Sequence, residues 1–452
     1  MAENIVHARV GAIRRLARRR ATGPLERAIA KSSAEDIAQA MSSLTRGDTR
    51  YVFDHLPRTG SLAAEVLLEL AEADYELVIQ HVRPELLSTW VDELEPDDVA
   101  DLIERLPESM RDDLLAAMEA EDREQAEELL AWPSDSAGGI MSPVAFRLAE
   151  ETTCREAIAA LQEQSDDVEM VFYAYIENEG GQLVGVTSLR QLLLNPPSSV
   201  LGDIMNPDVI ALAPETDQEE VARIASRYDL LAVPIVDDTR KFLGIVTIDD
   251  VLDVLEEEAA QDLLRMAGVD EEYDPAGVSV LRAARQRLTW LIVTTIGGIG
   301  LAEVIGTFRQ SLQDNAMLAA FIPVIMALGG SVALQTATIT VRNLATGHLS
   351  SAGGWGTTLF RELRVGLLIG CILGTLLFFY GWVRTDHLIG ATVGITVLGA
   401  LILSAFIGAL IPMALDRLGI DPALATGPFV TITIDMVAIV VYLSIATALL
   451  GL

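Results

Sequence analysis

The chain has 452 residues, with 32 basic and 65 acidic side chains for a formal charge of −33, yet 51% of it is apolar and its mean hydropathy is +0.36. Acidity and hydropathy of that size do not fit one uniform globule: from Arg287 to the C-terminus there are seven arginines, no lysine and seven acids, so the whole net charge falls on residues 1–286. This excludes a nucleic-acid binder, which needs a net basic face. With only Cys154 and Cys371, one in each half, it also excludes a disulfide scaffold and a cysteine-rich zinc site.

Residues 1–23 are basic, with Arg14, Arg15, Arg18, Arg19 and Arg20, and lack the continuous apolar core of a signal peptide, so they read as a solvated tail. Residues 24–136 form an acidic, all-α domain of short amphipathic helices. In the unit 96–106, Pro96 opens a helix with Asp97, Asp98 and Asp101 on its polar side, while Val99, Leu102, Ile103 and Leu106 form one apolar stripe. Similar units follow one another, as in a superhelix.

From residue 137 the texture becomes a repeat of about sixty residues. Ile140-Met141-Ser142-Pro143 recurs as Ile204-Met205-Asn206-Pro207, and Val184-Gly185-Val186-Thr187 as Leu243-Gly244-Ile245-Val246. Each copy, 137–200 and 201–262, reads as an extended entry, a helix, two strands and a helix. The tandem pattern resembles paired cystathionine-β-synthase (CBS) modules, which implies a ligand-sensing α/β region. In such modules a Ser/Thr-x-x-Asp holds a nucleotide ribose. Thr247 and Asp250 supply it in the second copy, whereas the first has Ser188 followed by Gln191.

The helix closing the second copy carries Asp249, Asp250, Asp253, Glu256, Glu257, Glu258 and Asp262. Like charges one turn apart each cost about 0.2–0.5 kcal/mol. A solvated acidic face is the ordinary explanation of such a run. The position of this helix just before the apolar half favours relief by divalent cations instead.

After a linker at 263–287, the segments 288–308, 316–341, 365–383, 388–415 and 428–452 have the length and composition of membrane spans, and Pro412 suggests a break in the fourth. Arginines near the span ends place the acidic half in the cytoplasm and the C-terminus outside. Within the fifth span Asp435 has no lysine or arginine of any span to pair with, so a cation is its natural partner, a protonated structural aspartate being the alternative. Thr431 lies one turn earlier on the same face. Glu303, near the outer end of the first span, suits an outer-mouth or interfacial place. The small and hydroxyl residues of the second span (Gly329, Gly330, Ser331, Gln335, Thr336, Thr338 and Thr340) fit helix packing and a water-filled pathway equally.

The order of a helical acidic domain, a CBS pair, a linker and five spans resembles the MgtE family of Mg²⁺ channels over essentially the whole chain. Local matches are Ala137-Gly138-Gly139-Ile140-Met141, Phe321-Ile322-Pro323, Gly329-Gly330 with Gln335, and Asp421-Pro422-Ala423 to Gly427-Pro428 and Asp435. Departures are Ser331, Ala333, Gly427 and Gln261, the last standing where an acid is expected. The resemblance implies a homodimer in the cytoplasmic (inner) membrane, with a pore between the subunits lined by the second and fifth spans. It implies Mg²⁺ uptake closed by cytosolic Mg²⁺ bound at Asp97, Asp101, Gly139, Asp217, Glu219, Asp229, Asp250, Asp253, Glu258 and Asp262 and at the linker near Pro275 to Arg287, with ATP as a further ligand of the CBS pair. The alternative is a nucleotide-regulated, proton-linked secondary transporter of divalent cations. His7, His55, His81, His348 and His387 are scattered, so no catalytic constellation is present and an enzyme is not expected.

Overall fold

A computed structural model describes residues 2–163, 171–266, 280–345, 354–425 and 427–451. The linker expectation at 267–279 lies outside these residues. The chain divides into two compact units between Glu258 and Ala259.

The first unit opens with ten helices: α1 (Ala2–Arg18), α2 (Thr22–Ile29), α3 (Ala34–Met41), α4 (Arg46–Phe53), α5 (Leu62–Glu69), α6 (Glu72–Ile79), α7 (Pro84–Val91), α8 (Pro96–Arg105), α9 (Glu108–Ala117) and α10 (Ala120–Leu129). Their apolar stripes share one core that includes Leu25, Ile37, Met41, Leu67, Leu87 and Leu102. The expectation of a solvated tail at 1–23 is corrected. Val10, Ile13 and Ala17 of α1 are buried in this same core, and their spacing along one helical face is what docks it. Its arginines find protein partners, Arg9 pairing with Asp36 at 3.5 Å and Arg14 donating to the Gln39 carbonyl at 2.9 Å. Arg20 pairs with Asp48 at 3.2 Å.

The repeats follow as β1 (Arg147–Ala149), α11 (Cys154–Glu163), β2 (Tyr173–Glu177), β3 (Leu183–Ser188), α12 (Leu189–Leu194) and α13 (Leu201–Ile204), then α14 (Gln218–Tyr228), β4 (Ala232–Val236), β5 (Phe242–Thr247) and α15 (Ile248–Met266). In the first copy β1 pairs parallel to β2 and β2 antiparallel to β3. In the second, β4 and β5 keep the antiparallel pair, and the entry strand is reduced to a single parallel bridge between Leu212 and Ile235. The duplicated Ile-Met-x-Pro segments are exchanged between the copies. Ser142 exchanges two backbone hydrogen bonds with Ile245, and Asn206 two with Val186. The repeated glycines permit this, because a Cβ on Gly244 would stand 2.5 Å from the Ser142 carbonyl oxygen and one on Gly185 would stand 2.2 Å from Met205 Sδ.

The second unit holds five helices long and apolar enough to cross a membrane, α16 (Val280–Thr307), α18 (Met317–Ala345), α19 (Trp355–Arg384), α20 (His387–Arg417) and α21 (Pro428–Leu450). A short helix, α17 (Arg309–Asp314), joins the first two, and a 3-10 turn at Pro422–Ala425 precedes the last. Helix α20 is the most buried and packs on α18, α19 and α21. Backbone-to-backbone approach locks α19 to it, since a Cβ on Gly374 would lie 2.7 Å from the Gly394 carbonyl oxygen and one on Gly390 would lie 2.6 Å from that of Phe378. The break expected at Pro412 is corrected: α20 runs through it without interruption, as α18 does through Pro323. Apolar spans tolerate proline where packed neighbours hold the helix on both sides.

Candidate functional site

In α21 the residues Ile434, Ala438, Ile439 and Tyr442 are buried against neighbouring helices, and the Tyr442 hydroxyl donates to the Leu318 carbonyl at 2.9 Å. That packing fixes the rotation of the helix and leaves Asp435 half-buried beside α18. A Cβ on Gly330 would stand 4.0 Å from Asp435 Oδ1, an ordinary contact distance, so the second glycine of the pair lies beside the carboxylate. Gly329 serves packing instead, with Ser404 Oγ, Ile434 and Ala438 as the atoms nearest to a Cβ placed there.

Ser331 and Gln335 are exposed along one side of α18, whereas Thr336 and Thr340 are buried and the Thr340 hydroxyl donates back to the Thr336 carbonyl at 2.8 Å. Thr431 is exposed, and its hydroxyl donates to the carbonyl of Gly427, the residue preceding α21, at 3.3 Å. Among the described residues Asp435 has no ion pair, and its place in an apolar helix costs a charged carboxylate about 2.5–3.5 kcal/mol. Chemically the site offers one carboxylate and an edge of exposed polar side chains, suited to a hydrated hard cation.

A second constellation lies within the first unit. Ala100 of α8 and Val251 and Val254 of α15 are buried in one apolar cluster, which holds two acidic faces together. Burial, then the charges of Asp250, Glu95 and Asp98, pushes the Asp97 carboxyl up to about 8. Burial, then Asp98, Glu104 and Asp250, pushes Asp101 up to about 7. Asp250 is raised by burial to about 6 although the Thr247 hydroxyl donates to it at 2.6 Å, and Asp253 is raised by burial and by Asp249, Glu256 and Glu35. Asp97 Oδ1 is buried without a hydrogen-bond partner. Carboxylates of two elements held together against their own repulsion, one of them with an orphaned oxygen, fit a hard divalent cation. Among the described residues no three acidic, histidine or cysteine side chains converge closely enough to ligate one ion directly.

Sequence reasoning missed Glu35 and Glu69. Glu69, at the end of α5, is raised by burial and by Glu35 and Asp253, and only the folding of α3 and α5 around α8 brings these together. Arg105 holds that fold, donating to the carbonyls of Leu67, Leu68 and Leu70, the last at 2.6 Å, and its guanidinium lies 4.3 Å from the Tyr75 ring centre.

Other expected sensor residues have visible local roles. Asp217 caps α14 by accepting from the Glu219 N–H at 2.8 Å, and Asp229 ends that helix in a left-handed conformation at φ 52°. Glu258 accepts from Gln218 Nε2 at 2.8 Å. Gly139 permits a close turn, a Cβ there lying 2.3 Å from the Pro133 carbonyl oxygen. Asp262 lies farther along α15. The expected nucleotide residues Thr247 and Asp250 bond to each other at the start of α15, in the place where Ser188 and Gln191 form a reciprocal capping box on α12.

Residues 322–445 match the family model of a divalent cation transporter, 32–135 that of the MgtE intracellular N domain, and 201–257 that of a CBS domain. The magnesium transporter MgtE of Thermus thermophilus is 34% identical over 412 residues, 90% of each chain. That of Bacillus subtilis is 30% identical over 427 residues, covering 91% of this chain and 94% of the relative. A solved structure of the cytosolic domain of the Mg²⁺ channel MgtE in complex with ATP is 31% identical and superposes with a TM-score of 0.51, covering 54% of this chain and 99% of its own.

Proposed function

Because the chain belongs to the MgtE family, whose members are magnesium transporters and not enzymes, we propose that it is a Mg²⁺ channel for uptake across the cytoplasmic membrane, closed by cytosolic Mg²⁺. The observation that carries this is Asp435, an acid inside an apolar helix, set beside Gly330 and with no ion pair among the described residues. Two subunits would bring two such carboxylates to one axis, lined by α18 and α21, and like charges that close need a cation between them. Mg²⁺ gives up its waters reluctantly, so the Asp435 carboxylate, with the exposed polar side chains Thr431, Ser331 and Gln335 of α21 and α18, would hold the hydrated ion through its water shell. The C-terminus then lies outside, and the first unit in the cytoplasm.

Closure is assigned to the acids of α8 and α15. Asp97, Asp101, Asp250 and Asp253 would hold Mg²⁺ in the cytosol, and its charge would offset the burial and the repulsion that together raise their pKa values. Asp217, Glu219, Asp229, Glu258, Asp262 and Gly139 are the remaining candidates of the same sensor, and Thr247 with Asp250 is the candidate ATP contact. The ion favours the shut state by no more than its difference in affinity between the two states.

The test is divalent flux into liposomes carrying the purified full chain, with internal Mg²⁺ varied. The wild type should conduct and fall silent as internal Mg²⁺ rises, while Asp435→Asn should not conduct. Flux driven by a pH gradient and indifferent to membrane potential would support the proton-linked carrier instead.

A further inference from the structure

Helix α15 is continuous from Ile248 to Met266 and carries seven acids but one basic side chain, Arg265, in its last turn. A cation there suits the negative end of the helix. Arg265 Nη1 donates to Asp421 Oδ2, and its Nη2 donates to Gln261 Oε1 at 3.2 Å. The other oxygen of Asp421, Oδ1, accepts from the Ala423 N–H at 2.7 Å and so fixes the 3-10 turn at Pro422–Ala425. Ala423 is fully buried, and the turn packs on α18, α20 and α21. Gly427 and Pro428 then start α21, and Asp435 follows seven residues after Pro428.

Each member of the pair is thus held by a second bond, Arg265 by Gln261 and Asp421 by a backbone N–H. The side chains are only 23% and 29% exposed, so solvent and salt screen them less than a surface pair. A displaced end of α15 cannot keep this pair without pulling on the turn that sets the start of α21.

We infer that the Arg265–Asp421 pair is the coupling through which movement of α15 reaches the helix that carries Asp435. It rests on the assignment of α15 as a Mg²⁺ sensor, and it adds two positioning residues that neither bind the regulatory ion nor line the pore. Allosteric couplings are typically worth 5–150-fold in affinity, so a broken link should shift gating by about tenfold.

The experiment uses the full chain in liposomes, with the wild type, Arg265→Gln, Asp421→Asn and the double variant. Asp421→Asn keeps an oxygen to cap the Ala423 N–H and removes only the charge, so it carries the test even where Arg265→Gln fails to fold. Each single variant should keep its maximal flux in low internal Mg²⁺ and need about tenfold more Mg²⁺ for half-inhibition. The double variant should need no more than the singles. Mg²⁺ should protect the cytoplasmic residues from protease equally in all four, since sensing is upstream of the link. Unchanged half-inhibition, additive shifts or lost protease protection would each overturn the link. A wild type that Mg²⁺ neither silences nor protects would overturn the sensor assignment itself.

Discussion

Asp435 and Asp97 are both aspartates held away from bulk water, and they differ in what surrounds them. Asp435 stands in an apolar helix beside Gly330 of α18, with no ion pair among the described residues. Asp97 feels the charges of Asp250, Glu95 and Asp98, where α8 and α15 share one apolar cluster through Ala100, Val251 and Val254. An isolated acid in a low-dielectric path attracts a passing cation without fixing a conformation. A crowd of acids shared between two elements makes one conformation depend on a cation, because repulsion separates the elements when it leaves. In the proposed channel the same side chain would serve permeation in one place and sensing in the other.

The largest effect expected from breaking this contrast is at the single acid. Asp435→Asn should lower flux by about a hundredfold or more, read as Mg²⁺ entry into liposomes, because it removes the carboxylate whose charge attracts the ion in the apolar path. Neutralising Asp250, Asp253 and Glu258 together removes both the repulsion and the ion's ligands, so flux should lose its dependence on internal Mg²⁺, by about tenfold or more in the inhibiting concentration.

Acidification should imitate the ion at the crowd. Asp97, Asp101 and Asp250 have carboxyls raised from 3.8 to about 8, 7 and 6. Groups raised on folding contribute stability that is fully present below their unfolded pKa and is lost as pH rises through the folded value. In the absence of divalent cations, the protease resistance of the cytoplasmic residues should therefore rise as pH is lowered from about 8 to about 5, and Asp97→Asn should flatten that dependence.

The smallest effect concerns the two CBS copies. Ser188→Ala removes the capping box on α12 and should lower thermal stability by about 1 kcal/mol without altering flux or its inhibition. Thr247→Val, at the matching place on α15, should weaken ATP binding measured by calorimetry, since there the cap pairs with an acid.

Much of this was legible because the signals are local. Five apolar runs, a repeated Ile-Met-x-Pro and the Pro96-Asp97-Asp98 helix start are each contained in a few consecutive residues. What escaped depends on contacts distant in sequence. Helix α1 resembles a tail in sequence because arginines dominate its composition, although Val10, Ile13 and Ala17 lie on one face. The exchange of Ser142 and Asn206 between the two CBS copies requires the paired sheets, and no spacing announces it. Glu35 and Glu69 join the acidic crowd only through the packing of α3 and α5, which Arg105 pins by bonding the carbonyls at the end of α5. Pro412 misled in the other direction, because its neighbours on α20 are held by packed helices and the helix passes through it.

The most direct test of the central claim is amide hydrogen exchange of the full chain along α8 and α15, in the wild type and in Asp97→Asn/Asp250→Asn, with and without millimolar Mg²⁺. The account predicts that Mg²⁺ slows exchange in both helices of the wild type, and that the double variant exchanges slowly whether or not the ion is present. Identical exchange in the wild type with and without Mg²⁺ would contradict it.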